Sequence, residues 1–441
     1  MSSYSSGKGD SSLHHRSASL NRTVEVPGAV LMGLGSILGT GIFVSIGIAA
    51  GVAGPSVVPA VALAAIVAAF NGLSSAQLAA SHPVSGGTYE YGYRYLHPTL
   101  GFTAGWMFLC AKTASAATAA LGFSGYVLAG LGAEGKIARI LPAIAIVVLL
   151  TAVVAGGMQH SNRANAIIVS FTLLVLAVFV LVGAPVAIAN GASRFLPFLD
   201  ADGAGSLLHV SVAYTGYGRI ATLGEEIRNP ARNIPWAILT TLIVTMILYI
   251  SVAAVSVGVI GADALFEATQ AAAAPLEAAA GSLTVPWIGL LVAGAAVTAM
   301  AGVLLNLLLG LSRVMLAMGR RRDLPNWLAH VDYRRKSPRR AVILTGVLVT
   351  GFVLIDNVSI TWSFSAFTVL VYYALTNLSA LRLPVKQRRV PRIIPLLGLL
   401  SCLGLAFWVE PMTWIVGLGL IALGLAWHLF AAYRIHRSPR G

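Results

Sequence analysis

Residues 30–46, VLMGLGSILGTGIFVSI, decide how this chain is read. They lie inside an apolar run from roughly Val24 to Ala50, long enough to cross a hydrocarbon core of about 30 Å. Gly33, Gly35, Gly39 and Gly41, with Ser36 and Thr40 between them, are poor helix interior, each glycine costing roughly 1 kcal/mol against alanine. About ten residues separate Val24 from Gly33, about 15 Å at helical rise, and a similar length follows Gly41. The weak point therefore falls near the bilayer midplane. Backbone opened at that depth persists only where protein encloses it, because lipid bonds no free N–H or C=O. A half-helix beginning near Thr40 would aim free amides and a positive dipole end into the enclosure, which suits a carboxylate. The same glycines would also serve close helix packing, and this run alone leaves both readings open.

The whole composition agrees with a membrane run. Of 441 residues, 57% are hydrophobic and only 10% charged, and the mean hydropathy is +0.83. A soluble domain carries about 25% charged residues. The expected fold class is an all-α polytopic membrane protein with one transmembrane domain. The net charge of +14 lies between apolar runs and not on a basic module, so the positive-inside rule explains it and nucleic acid is not an expected partner. Cys110 and Cys402 fall inside apolar spans, and no metal or cofactor is expected. The histidines lack triad or zinc spacing, so no enzyme is read here, and His14 and His15 are too little to mark a metal site. Residues 1–22 are polar and Ser/Gly-rich, without the apolar core of a cleavable signal; they read as a disordered cytoplasmic tail.

Further apolar runs follow at 55–80, 101–131, 137–156, 165–188, 206–228, 234–260, 285–318, 341–355, 361–383, 393–409 and 412–433, about twelve spans in all. The basic segments 319–340 and 382–392, with Arg434, Arg437 and Arg440, share one side if the N-terminus is cytoplasmic. Asp263, Glu267, Glu277, Asp356 and Glu410 then share the other, which sets both termini in the cytoplasm of a cell that carries the chain in its plasma membrane.

The sixth run repeats the signature of the first. Gly216 and Gly218, with Thr215 and the flanking Tyr214 and Tyr217, interrupt it near its middle. Two interrupted spans in corresponding positions point to a midplane transport site between inverted repeats. Residues 23–190 and 206–383 form the two five-helix repeats in this reading, 384–433 two accessory helices and 434–441 a cytoplasmic tail. Glu225 and Glu226, at the end of the sixth run, read as helix-end caps and salt-bridge partners of Arg228 and Arg232, or as a gate.

ILGTGIF (37–43), SGGTYEYGYRYL (85–96), GFTAGW (101–106), AYTGYG (213–218) with LGEEIRNPARNIPWAI (223–238), SRVMLAMGRRRDLP (312–325) and YYALTNLSALRL (372–383) resemble amino acid permeases of the amino acid–polyamine–organocation superfamily. The resemblance implies a five-plus-five inverted repeat with broken first and sixth helices and transport by alternating access. It implies that amides at Gly39, Thr40 and Gly41 hold the substrate carboxylate. The carbonyls around Ile37, and around Val212, Ala213 and Thr215, would receive the α-ammonium. It also places Lys112 in the wall of the side-chain pocket. Three features depart from the family pattern: Gly218, followed by Arg219, where many relatives have an acid and no cation after it; Thr172 where some proton-coupled relatives have a lysine; and Lys112 in the third span instead.

Lys112 and Arg219 are the strongly basic groups deep in apolar runs, where such groups cost at least about 2.5–3.5 kcal/mol and face the bundle interior. Either would also serve as a tie to carbonyls. Lys112, Arg219, Thr172, Tyr214 and Glu225 are the candidates for coupling or gating, with the proton as coupling ion through Lys112. Thr172, Asn306 and Ser312 offer only a weak oxygen set for sodium, without a carboxylate. The expected function is Na⁺-independent secondary transport of an amino acid, chiefly neutral, since two fixed positive charges disfavour dibasic substrates. The alternatives are a basic amino acid or polyamine antiporter and, from another class, a non-transporting amino acid receptor or a channel. Oligomeric state is left open.

Overall fold

The structure, a computed structural model, describes residues 24–83, 86–132, 135–157, 162–196, 227–285, 287–332, 337–407 and 411–437. The first interrupted run gives three pieces, α1 (Val26–Ile37), α2 (Thr40–Phe43) and α3 (Ser45–Ala53), before α4 (Val57–Ser81). A short α5 (Thr88–Tyr95) precedes α6 (Pro98–Leu131), followed by α7 (Lys136–Ala155) and α8 (Asn162–Ala189). Of the sixth run only Ile227 and Arg228 are described; Val212, Ala213, Tyr214, Thr215, Arg219 and Glu225 lie outside the described residues. The chain continues as α9 (Pro230–Ile260), α10 (Ala262–Ala272), α11 (Pro275–Gly281), α12 (Trp287–Arg320), α13 (Arg339–Val353), α14 (Val358–Leu381), α15 (Ile393–Phe407) and α16 (Pro411–Arg437).

The all-α membrane architecture holds. Among the described residues, 8 helical runs are long and apolar enough to cross a membrane by length and composition. Their ends carry local signals. His97 caps α6 by accepting from the Thr99 amide at 3.3 Å, with Pro98 in the first turn. Gly132 ends the same helix in the left-handed region at φ 62. Asn357 caps α14 by accepting from the Ile360 amide at 2.9 Å.

α6 is the central helix, packed against α2, α5, α7, α10, α12, α13, α14 and α16. Ala104, Ala111, Ala114, Ala116, Ala117, Ala119 and Ala120 are all buried along it, and small side chains let neighbouring backbones approach closely. Outward-facing residues of α7, α8 and α16, such as Leu141, Ile167, Leu181 and Leu429, are exposed and apolar, as a lipid-facing surface requires.

Two features add to the sequence reading. The acidic segment bearing Asp263, Glu267 and Glu277 is helical, as α10 and α11. Arg228 pairs with Glu25 at 2.8 Å, beside a short parallel bridge between Val24 and Ile227, while Glu225 and Glu226 lie outside the described residues. That contact joins the start of the first run to the exit of the sixth.

One polar hub gathers the ends of α5, α12 and α16. Tyr89 and Tyr93 both donate to Asp323 Oδ2, at 2.7 and 2.6 Å, and Trp427 donates to the Asp323 carbonyl at 2.8 Å. The Arg321 guanidinium lies over both tyrosine rings and pairs with Glu90. Burial, with the Asp323 carboxylate as acceptor, pushes both phenols well above their ordinary range, so both stay protonated donors at neutral pH. Hydrogen bonds to a charged acceptor contribute about 1.5–3 kcal/mol each. Asp323→Asn should therefore lower the thermal unfolding midpoint of the purified protein by at least about 2 °C. An unchanged midpoint would show that the hub does not hold these helices.

Candidate functional site

The break in the first run falls at the predicted place. α1 ends at Ile37, where Leu38 N donates to Leu34 O at 2.7 Å. Leu38 then leaves helical space with φ −75 and ψ 88, and Gly39 is extended at φ −170 and ψ −117. α2 starts at Thr40, and a helix start leaves its first N–H groups, here those of Thr40 and Gly41, without intrahelical acceptors. Gly39 is required by proximity: a Cβ there would lie 2.6 Å from Val303 Cγ2 of α12.

A second interruption, at Val44, was not legible in the glycine spacing. Tyr126 of α6 donates to the Phe43 carbonyl at 2.7 Å, and Gly47 N bonds Val44 O, three residues back, at 3.1 Å. A tertiary donor has taken a carbonyl that the helix would otherwise use. The Thr40 carbonyl likewise accepts from Ser45 Oγ at 3.1 Å, and Ser45 is itself held by Trp362 of α14 at 2.8 Å.

Helices distant in sequence pin the other side of the break. Tyr249 of α9 donates to Ile37 O at 3.0 Å, Asn165 of α8 to Leu31 O at 2.9 Å, and Asn306 of α12 to Gly35 O at 3.4 Å. Ile37 O, implied as an acceptor for an ammonium, thus already holds one donor; a carbonyl has a second lone pair. Tyr126, Tyr249, Asn165 and Trp362 were missed as site residues. Their signal is a hydrogen-bonding group well inside an apolar run, which gains meaning only once its partner is known.

Ile37, Gly39, Thr40 and Gly41 are contiguous in this break, and Ile37 and Gly41 are buried. Lys112 is buried on α6. It lies between residues facing α12, with Gly105 against Met318, and residues facing α14, where Phe108 meets Tyr372 and Ser115 bonds Ser365 at 2.7 Å. Thr172 is buried on α8, two turns beyond Asn165 on the same face, and its hydroxyl donates to Ile168 O at 2.9 Å. Ser312 similarly donates to its own helix, at Leu309 O, 3.0 Å away.

A helical membrane protein built around a backbone break, with free amides on one side and pinned carbonyls on the other, is a transporter in class. A family model described as amino acid permease matches residues 25–433, and the chain belongs to that family. It is 42% identical over 422 residues to a Mycobacterium tuberculosis protein described as an uncharacterized transporter, covering 95% of this chain and 92% of that one. It is 30% identical to the methylthioribose transporter of Bacillus subtilis over 441 residues, 94% of each chain. It is also 30% identical to the branched-chain amino acid permease BcaP of Bacillus subtilis over 431 residues, 91% of each.

The contact at Gly39 yields a paired test. Gly39→Ala should reduce substrate uptake by reconstituted protein at least about tenfold, because one added methyl overpacks a closed core. Val303→Ala, made in the same chain, removes the opposing methyls and should restore uptake in part. Additive losses in the double variant would show that the two residues do not meet during transport.

Proposed function

We propose that this protein is a Na⁺-independent secondary transporter for neutral amino acids, working by alternating access on a five-plus-five inverted repeat. The observation that carries the proposal is the break at Leu38–Gly39, with α2 beginning directly after it. Helix starts attract carboxylates and unwound carbonyls attract cations, so the two sides of a break suit the two charges of an amino acid backbone. In this reading the amides of Gly39, Thr40 and Gly41 bind the carboxylate. Ile37 O, with Val212, Ala213 and Thr215 from the sixth run, receives the ammonium.

The preference for neutral side chains rests on Lys112, a buried cation that would repel lysine or arginine. BcaP supports the same preference by its name, while the equal identity to a methylthioribose transporter makes that thioether sugar the natural competitor. Sodium independence rests on the oxygen set of Thr172, Asn306 and Ser312, which contains no carboxylate. The N-terminus is proposed to be cytoplasmic in the plasma membrane, since Arg389 of a basic segment reaches the Ala231 carbonyl in the first turn of α9, and the approach to that helix bonds Val24 O through Arg228 N just ahead of α1. Lys112 is the proposed proton carrier of the cycle.

Uptake of L-leucine into proteoliposomes tests the reading. Saturable uptake, equal in sodium and choline buffers and outcompeting methylthioribose, is expected; strong sodium stimulation or preference for methylthioribose would overturn it. Gly41→Val should abolish leucine binding while the protein remains folded and inserted, because a branched side chain would occupy the space of the carboxylate. Lys112→Met should flatten the pH dependence of uptake, and an unaltered pH profile would remove Lys112 from coupling.

A further inference from the structure

At the end of the bundle opposite the basic segments, α10 and α11 lie across α3 and α6 with no room for added side chains. A Cβ at Gly47 would meet Thr269 Oγ1 and Pro275, one at Gly51 the ring of Phe266, and one at Gly125 the Ala272 carbonyl oxygen. Thr269, Pro275 and Leu276 are buried by this contact. The pair of helices caps this end of the bundle as a lid would.

Two residues tie the lid down. Tyr126, 1% exposed, uses one hydroxyl for two partners: it donates to Phe43 O at 2.7 Å and accepts from Leu276 N of α11 at 3.3 Å. Its ring stands edge-on to Phe43, with centroids 5.9 Å apart. Arg139 of α7 grips Asp356, ahead of α14, through Nε at 2.8 Å and Nη2 at 3.1 Å. Its Nη1 reaches the carbonyls of Gln270 and Ala271, at 3.4 and 3.3 Å, on the last turn of α10. That is the negative end of the helix dipole, where a guanidinium is favoured. Gln270 also bonds Ser359 of α14 at 3.0 Å.

We propose that Tyr126 is a positioning residue that couples closure of this lid to occupancy of the first break, and that Arg139 pins the lid to α14. The proposal rests on the transport reading above, with the lid on the outer side. A ligand on the Thr40 and Gly41 amides orders α2, whose last carbonyl, that of Phe43, orients the Tyr126 hydroxyl. The hydroxyl then presents its lone pair to the lid amide. An open lid leaves Leu276 N without this partner, and an empty, loosened break leaves Tyr126 without its acceptor. Each state therefore favours the other through one shared oxygen, and the same coupling runs in both directions.

Thr269, buried on the face of α10 that meets Gly47 of α3, supplies the probe. Thr269→Cys is placed in a chain carrying Cys110→Ala and Cys402→Ser, and its thiol is titrated from outside with a membrane-impermeant methanethiosulfonate in proteoliposomes. L-leucine should slow modification of this parent at least about fivefold. Tyr126→Phe, which keeps the ring, should raise the ligand-free rate and reduce the leucine effect below about twofold. Arg139→Gln should raise the ligand-free rate while leaving the leucine effect in place. Ligand-free rates equal to the parent in both variants would overturn the lid assignment. A leucine effect of parental size in Tyr126→Phe would overturn the coupling. If the variants react faster while leucine leaves even the parent unaffected, the amino acid reading fails and the lid assignment stands.

Discussion

A backbone carbonyl surrounded by hydrocarbon has no water to bond, and the first membrane run of this chain takes several out of its helix. Everything near the break answers to that constraint. Ile37, Phe43 and Thr40 each offer a carbonyl that a side-chain hydroxyl caps, from Tyr249, Tyr126 and Ser45 respectively. Asn165 and Asn306 add amide donors just before the break, at Leu31 and Gly35. The open backbone is thus a built feature held by α6, α8, α9 and α12. Ser45 relays the hold of a fifth helix, α14, through Trp362.

The same constraint explains the steric pattern. Donors reach the break only if helices come close, and close approach needs small residues. Gly35 stands against Asn165 and Gly39 against Val303, and the alanine-rich α6 packs on α2, α5, α7, α10, α12, α13, α14 and α16. The two sides of the break differ: the carbonyls of Ile37 and Gly35 each hold one side-chain donor and keep a second lone pair, while α2 begins anew at Thr40 on the other side.

Much of this was legible in the sequence because it follows from local chemistry. Gly39 and Thr40, with the length of apolar chain on either side, located the break within a residue or two. Hydropathy located the described long helices, since membrane burial imposes a uniform pattern. What escaped depends on partners far along the chain. The interruption at Val44 exists because Tyr126, 83 residues away, takes the Phe43 carbonyl. The lid escaped because α10 and α11 are short and carry acids, so hydropathy alone reads them as a connection between spans. Tyr89 and Tyr93 stood in a family-like motif, but their common acceptor, Asp323, is more than 200 residues away and only the fold unites them. The second half of the proposed site, from Val212 to Thr215, lies outside the described residues, so its part remains a reading of the sequence.

The central claim is that the broken first helix recognises both charges of an amino acid backbone. Binding of L-leucine, its amide and its deaminated acid to the purified protein, measured by calorimetry at one pH, tests this most directly. Leucine should bind, leucinamide should fail for want of a carboxylate, and 4-methylpentanoate should fail for want of an ammonium. Removing either charge should cost at least about tenfold in affinity, as expected when a buried polar group loses its partner. Leucinamide binding as tightly as leucine would contradict the account, because the amides of Thr40 and Gly41 would then have no anion to hold.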